Sequence, residues 1–482
     1  MVMFALGEMA TWLPLGKGFA GYATRFVDPA LGFALGYSYW FKYLIVTPNQ
    51  LTAAALVIQY WVPREKVNPG VFITVFLLVI IFINYFGIRW FGEFEFWLSS
   101  FKVVVLLGLI LLTIILALGG GPDHDRKGFR YWKDPGAFKP YPGIANESKA
   151  KFVAFWSVMV IAVFAYLGTE LIGVTVGEAQ NPRRNIPRAI KLTFWRILFF
   201  YVVLIFFLGM IIPYNSDALL KATKAKANTA SASPFVAAIV VANIRTLPGL
   251  LNVCILFFIL SASNSDLYIA TRTIYGIAKD GKAPHFLCKT DKRGVPIYAL
   301  LTSACFCLLA YLNVSSDSSQ VFTYFVNLVT IFGLLSWISI LVSHIYFVRA
   351  RKAQNIPEES LHYKSPFGIW GSYIALGFCC LIAITKSFTA FMLKKPNGEF
   401  DGKAFTTEFI TSYIGIPVYL IMLFGYKFWF KTKGIKPHEA DLFTGKDAID
   451  REEEIFLQHQ ALRGESASKM EKFYDKTIGL VF

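Results

Sequence analysis

Ala165-Tyr166-Leu167-Gly168-Thr169-Glu170-Leu171-Ile172-Gly173 interrupts a stretch, 152–177, that is otherwise almost continuously apolar. Two glycines bracketing a Thr-Glu pair weaken a helix where it would otherwise be most regular, and an acidic side chain in that turn is costly to bury in hydrocarbon. Irregular backbone is not tolerated against lipid, so the break must face protein or a water-filled cavity. A helix broken there leaves free N–H groups at one half-helix end, suited to a carboxylate, and free carbonyls at the other, suited to a cation. The plainer alternative is a glycine kink that lets two helices pack closely.

The rest of the chain supports a lipid setting. Its 482 residues are 55% hydrophobic, 17% aromatic and 16% charged, with a mean hydropathy of +0.51, whereas a soluble domain carries about 25% charged residues. A soluble enzyme is thereby excluded, and no nucleophile with a base, phosphate loop or metal constellation stands at recognisable spacing. A spanning helix needs about 20 apolar residues. Stretches of that kind are predicted near 31–61, 70–88, 96–119, 152–177, 193–213, 247–270, 296–313, 321–348, 370–392 and 409–430. Met1 to Leu13 is also apolar but lacks the basic flank and cleavage site of a signal peptide, so it reads as the end of a further helix. The predicted fold is an all-α integral membrane protein. The six cysteines, in or beside apolar stretches, read as packing residues.

The formal charge of +16 must be read by position, which disfavours a nucleic-acid partner and gives an orientation instead. Arg183, Arg184, Arg188 and Lys191 in 178–192 mark a cytoplasmic loop, as do Arg272, Lys279, Lys282, Lys289, Lys292 and Arg293 in 271–295. Arg349, Arg351 and Lys352 agree, with Lys427, Lys431 and Lys433 opening a cytoplasmic C-terminal tail. The segment 120–150 then faces outward, its Arg126, Lys127, Arg130 and Lys133 interleaved with Asp123, Asp125 and Asp134, and its sequon Asn146-Glu147-Ser148 makes Asn146 a glycosylation candidate. The charged tail, with its acidic run Asp450 to Glu454, reads as a solvated face.

The break followed by Gly177-Glu178-Ala179-Gln180-Asn181-Pro182-Arg183-Arg184-Asn185-Ile186-Pro187 resembles the signature of fungal amino-acid permeases in the amino acid, polyamine and organocation superfamily. Within it, the dicarboxylic (glutamate and aspartate) branch is the nearest in likeness. That branch is matched by Thr47-Pro48-Asn49-Gln50-Leu51-Thr52-Ala53-Ala54-Ala55, by the run from Phe91-Gly92-Glu93 to Lys102, and by Gly119-Gly120-Gly121-Pro122-Asp123-His124-Asp125-Arg126. Asp450-Arg451-Glu452-Glu453-Glu454 and Met470-Glu471-Lys472-Phe473-Tyr474 extend the likeness through the tail, so it covers Met1 to Phe482.

The resemblance implies a LeuT-like fold of two inverted five-helix repeats plus two helices. Residues 1–430 would form the permease domain and 431–482 the cytoplasmic tail. Met1 to Leu13 becomes the end of transmembrane helix 2 and 152–177 becomes helix 6. Helix 1, whose glycine-rich turn in the family holds the substrate's α-carboxylate, is then absent from the chain, and this polypeptide alone is expected to transport poorly or not at all. The ten stretches in order become helices 3 to 12, and the implied activity is plasma-membrane proton symport of L-glutamate or L-aspartate by alternating access, helices 6 and 8 rocking with helix 1 against helices 3, 4, 5, 9 and 10. The alternatives are a broad-specificity or proline-type permease, and a receptor of the same fold that binds amino acids without much flux. No cofactor beyond the proton gradient is implied. The partners are the amino acid, protons and membrane lipid, with ubiquitin-ligase machinery at the tail as in relatives.

Candidate site residues follow. Lys42 lies about 16 Å along its helix at 1.5 Å per residue, too deep for comfortable snorkelling. It can hold the substrate's side-chain carboxylate or pair with an acidic residue of another helix. Gly168, Thr169 and Glu170 form the break, and Glu170 can carry a proton or hold an α-amino group. Lys102 resembles the lysine that proton-coupled relatives use in place of sodium; the alternative is snorkelling to the interface. Asn49 and Gln50 can bind substrate or glue helices. In Ser261-Ala262-Ser263-Asn264-Ser265-Asp266, Ser263, Asn264 and Asp266 can line a cavity, or the hydroxyls can bond back to their own helix. Tyr166, or Phe164 in its stead, is the candidate aromatic gate; the alternative is a core aromatic.

Overall fold

The computed structural model describes residues 1–15, 18–86, 91–174, 181–217, 219–220, 233–314, 318–392 and 400–466. The Gly177 to Gln180 and Met470 to Tyr474 portions of the motifs above lie outside them. The described chain is helical: α1 (Val2–Trp12), α2 (Gly18–Phe26), α3 (Pro29–Ile58), α4 (Pro69–Phe86), α5 (Phe91–Ala117), α6 (Glu147–Ser157), α7 (Met159–Tyr166), α8 (Pro182–Ile211), α9 (Pro234–Val241), α10 (Leu247–Lys279), α11 (Ile297–Cys307), α12 (Ser318–Ala353), α13 (Gly368–Thr385), α14 (Gly402–Tyr413), α15 (Gly415–Phe430) and α16 (Lys446–Ser466).

Among the described residues, eight helical spans are long and apolar enough to cross a membrane. The pair α14 and α15, bent by 42°, makes a ninth, and Ile297–Leu312 is a shorter apolar helix. In their described residues all ten stretches expected from hydropathy are mainly helical, that at 152–174 with its break at Leu167–Gly168, though two boundaries move. Residues 182–192, expected as loop, are the first turns of α8, and α10 runs on to Lys279. Pro182 at the first position of α8 explains the former, since proline's fixed φ favours that position.

Side-chain size sorts the helices. In α3 the sequence Ala30, Gly32, Ala34, Gly36, Ser38 presents small residues, and all five are buried, so neighbouring backbones approach closely. At Gly32 a Cβ would fall 2.8 Å from the Ala20 carbonyl oxygen of α2. The most apolar window of α12 is 72% buried and that of α3 61%, whereas the window spanning Glu147–Gly173 is 11% buried. The peripheral helices expose Leu78, Phe82, Trp195, Val202 and Ile205, a surface that only lipid would cover stably.

Asp28 caps α3, accepting from the Ala30 N–H at 2.8 Å, and also receives Lys427 Nζ at 2.7 Å and Thr432 Oγ1 at 2.8 Å. Burial pushes its carboxyl up, but Lys427 and the two further donors outweigh that and hold it below the usual carboxylate range.

The tail corrects the sequence reading. Instead of standing off as a solvated face, it docks. Ile435 donates its N–H to the Val27 carbonyl at 2.8 Å, Trp12 Nε1 donates to the Leu442 carbonyl at 2.9 Å, and Leu442 is fully buried. The physical reason is the set of apolar residues, Ile435, Leu442 and Phe443, set among the tail's charges.

Replacing Asp28 by alanine removes the cap and both side-chain ties. The expected loss is about 1–2 kcal/mol, read as a lowered melting temperature of the detergent-solubilised protein.

Candidate functional site

The break is present and its geometry is specific. α7 ends at Tyr166, Leu167 is extended, Gly168 takes the left-handed region (φ +98°), and Thr169–Gly173 forms a single tight 3-10 turn. The left-handed glycine points its N–H at Glu170, which accepts it through Oε2 at 3.1 Å. Trp337 of α12 donates Nε1 to the same oxygen at 3.0 Å. The other oxygen, Oε1, receives Lys42 of α3 in an ion pair. Lys42 lies over the rings of Tyr43 and Tyr39, 4.7 and 5.0 Å from their centroids, and the two phenol oxygens are 3.2 Å apart.

Lys42 and Glu170 are sealed, with side-chain exposures of 3% and 0%. Of the two readings open for Lys42, the ion pair with another helix is therefore the arrangement found. Each residue is the other's counter-charge, which offsets the large cost of desolvating either.

Beside the pair opens a cavity of about 600 Å³. Tyr39, Glu95, Leu171, Ser265, Tyr268 and Arg272 line it, whereas Lys42 and Glu170 do not. At its wall sits a second polar cluster. Lys102 donates to Ser261 Oγ at 2.8 Å and lies 3.7 Å from Glu95 Oε1. Ser261 donates to Glu95 at 3.1 Å and Ser265 at 3.3 Å. Lys102 is thus tied across to α10 rather than snorkelling alone. Asp266 lies within electrostatic reach of Lys42 and Lys102, and its Oδ2 is buried with no hydrogen-bond partner.

The other candidates separate. Asn264 accepts from Asn84 Nδ2 of α4 at 2.9 Å, a helix-gluing contact, while its own Nδ2 and the Oδ1 of Asn49 are buried without partners. Ser263 bonds back to the Ile259 carbonyl at 2.8 Å, within its own helix. Thr169 lies against α1 beside Leu6 and Gly7. Tyr166 is 40% exposed, stacks on Tyr201 at 5.0 Å and does not line the cavity, while Phe164 packs on the core. Neither stands as a gate in this arrangement. Asn146 is exposed and caps α6, its Oδ1 accepting the Lys149 N–H at 3.0 Å.

Sequence reasoning passed over Glu95, Trp337, Tyr39 and Tyr43. Glu95 carried a usable signal: it stands seven residues before Lys102 and so shares its helix face. Trp337 carried none, because its contact with Glu170 is made 167 residues away in sequence.

Apolar spans around a broken helix with a buried ion pair, flanked by a polar-lined cavity, define a membrane transporter rather than an enzyme. Comparison with known proteins gives the family. The amino acid permease model matches residues 1–437, and the chain belongs to that family, whose fold is LeuT-like. It is 54% identical to the dicarboxylic amino acid permease of Saccharomyces cerevisiae, over all of this chain and 78% of that protein. It is 37% identical to a proline-specific permease of Emericella nidulans, over 93% of this chain and 80% of that one. The basic amino-acid permease of Saccharomyces cerevisiae is 36% identical over 92% of this chain and 75% of its own length.

Replacing Trp337 by phenylalanine leaves Glu170 Oε2 with the Gly168 N–H alone. Loss of a buried hydrogen bond to a charged group is expected to cost about 1.5–3 kcal/mol, measured by thermal unfolding in detergent.

Proposed function

We propose that this amino-acid permease imports acidic amino acids, L-glutamate and L-aspartate, by proton symport across the plasma membrane, with its C-terminal tail in the cytoplasm. The observation that carries the coupling is the Lys102–Ser261–Glu95 cluster at the cavity wall. Charged Lys102 ties α5 to α10. When the ammonium gives up its proton, its charged hydrogen bond to Ser261 of α10 and its pull on Glu95 of its own helix both weaken, so one proton event biases the contact between α5 and α10. In this reading water entering the adjoining cavity, which Glu95 lines, gives the proton its route.

Two features support an anionic substrate. The cavity is lined by Arg272, Lys279 and Lys282 against Glu95 and Asp280, an excess of positive charge that raises the local concentration of an anion. The dicarboxylic permease of Saccharomyces cerevisiae shares more than half of its residues with this chain over the chain's whole length. In this reading Glu170 and Lys42 hold the broken helix in place, Lys102 carries the coupled proton, and Asp266, within electrostatic reach of both lysines, is the acceptor for the substrate's amino group.

The test is uptake of labelled glutamate, aspartate and proline at two external pH values in transport-deficient fungal cells, using this chain and a version extended upstream of Met1. The extended version is expected to accumulate the two acidic amino acids, faster at low pH, and to leave proline outside. Lys102→Met is expected to abolish the pH dependence while surface expression stays normal. Accumulation of proline in preference to glutamate overturns the substrate assignment, and pH-independent uptake overturns the symport.

A further inference from the structure

The tail does more than pack. Arg25 of α2 reaches Asp441 Oδ2 at 2.5 Å and the carbonyls of Asp441 and Thr444, each at 2.7 Å. Gln354, just past α12, donates to the carbonyls of Ala440 at 2.7 Å and Pro437 at 3.2 Å. Lys446 places its ammonium 3.8 Å over the ring of Trp12 at the end of α1. One turn on, Asp450 and Glu453 of α16 take the two terminal nitrogens of Arg183, at the start of α8, with Glu453 at 2.6 Å. Arg183 is 4% exposed at its side chain, so the clamp is partly withdrawn from solvent. Asp450 and Glu453 stand three apart and therefore share a helix face.

These anchors are not random surface. α2 supplies Gly18, Phe19, Ala20 and Thr24 to the cavity wall. α3 is capped by Asp28 and carries Lys42; α12 carries Trp337; α8 begins nine residues after the tight turn that holds Glu170. A single strip of chain therefore ties α1, α2, α8 and the end of α12, and its anchor Arg25 adjoins Thr24, which lines the cavity and accepts from Lys282. It ties elements that cannot change their mutual spacing while it stays bound.

We propose that the segment 435–453 is a latch that holds the molecule with this cavity open, and that breaking the Arg183 clamp lets the cavity close. Its consequence for flux rests on the alternating access proposed above; the latch itself is a statement about cavity exposure. An electrostatic clamp of this kind responds to charge, so reversing both sides should restore it.

The test uses the full chain with Gly276→Cys, a cavity-lining position at which a Cβ meets nothing within 4 Å. Its labelling by a membrane-permeant maleimide is measured above that of the parent chain, without substrate. The double variant Asp450→Lys, Glu453→Lys is expected to reduce that labelling several-fold, and addition of Arg183→Glu is expected to restore it. Labelling that is unchanged in the double variant overturns the latch, as does a loss that Arg183→Glu fails to repair. Labelling that follows the charges, in a protein whose version extended upstream of Met1 takes up no amino acid, sustains the latch and counts against the transport reading. Normal glutamate uptake with labelling indifferent to the charges does the reverse.

Discussion

The arrangement depends on one ion pair in a place where charge is expensive. Lys42 and Glu170 are both withdrawn from water, and the desolvation cost of each is several kcal/mol even after relaxation. They are tolerable there because the remaining valences are filled: Trp337 and the Gly168 N–H on the carboxylate, two phenol rings under the ammonium. Satisfying all of these at once fixes the relative positions of α3, α12 and the broken helix. The left-handed backbone at Gly168 belongs to the same constraint, since it turns the N–H back onto the carboxylate two residues later.

From that fixed point the rest follows by exclusion. Charges committed to each other cannot also bind a ligand in the adjoining cavity, and Lys42 and Glu170 do not line it. On α5 and α10, Glu95 and Ser265 line it, and Lys102 and Ser261 join them through hydrogen bonds between the helices. A sealed pair suits a pivot, and a cluster with access to water suits proton exchange. Asn49, Asn264 and Asp266 keep buried polar atoms without protein partners, and such groups are completed by water or a ligand.

Much of this was legible in the sequence, for identifiable reasons. Long apolar runs leave few choices in lipid, so the spans were read correctly, and the glycines at 168 and 173 marked the break because no other residue pattern weakens a helix so cheaply. Lys42 reads as too deep to be idle, with a substrate carboxylate and an acidic residue of another helix as the alternatives, and the structure pairs it with Glu170. What escaped reading was set by distance along the chain. The contact of Trp337 with Glu170, the meeting of Asn84 with Asn264 and the docking of the tail onto Trp12, Arg25 and Arg183 are each made between residues far apart in sequence, where no periodicity records them. The aromatic at Tyr166 was placed in the right turn but on the wrong side of it, because a chain that leaves helical geometry at Leu167 no longer carries a predictable face.

The measurement that bears most directly on this account is a double-mutant cycle at the ion pair, read as thermal stability in detergent. Lys42→Met and Glu170→Leu each strand a buried charge, and each alone should cost about 3–5 kcal/mol. Because the pair is mutual, the double variant should recover most of that loss. If instead the two losses simply add, Lys42 and Glu170 do not hold one another, and the constraint on which the site is built is absent.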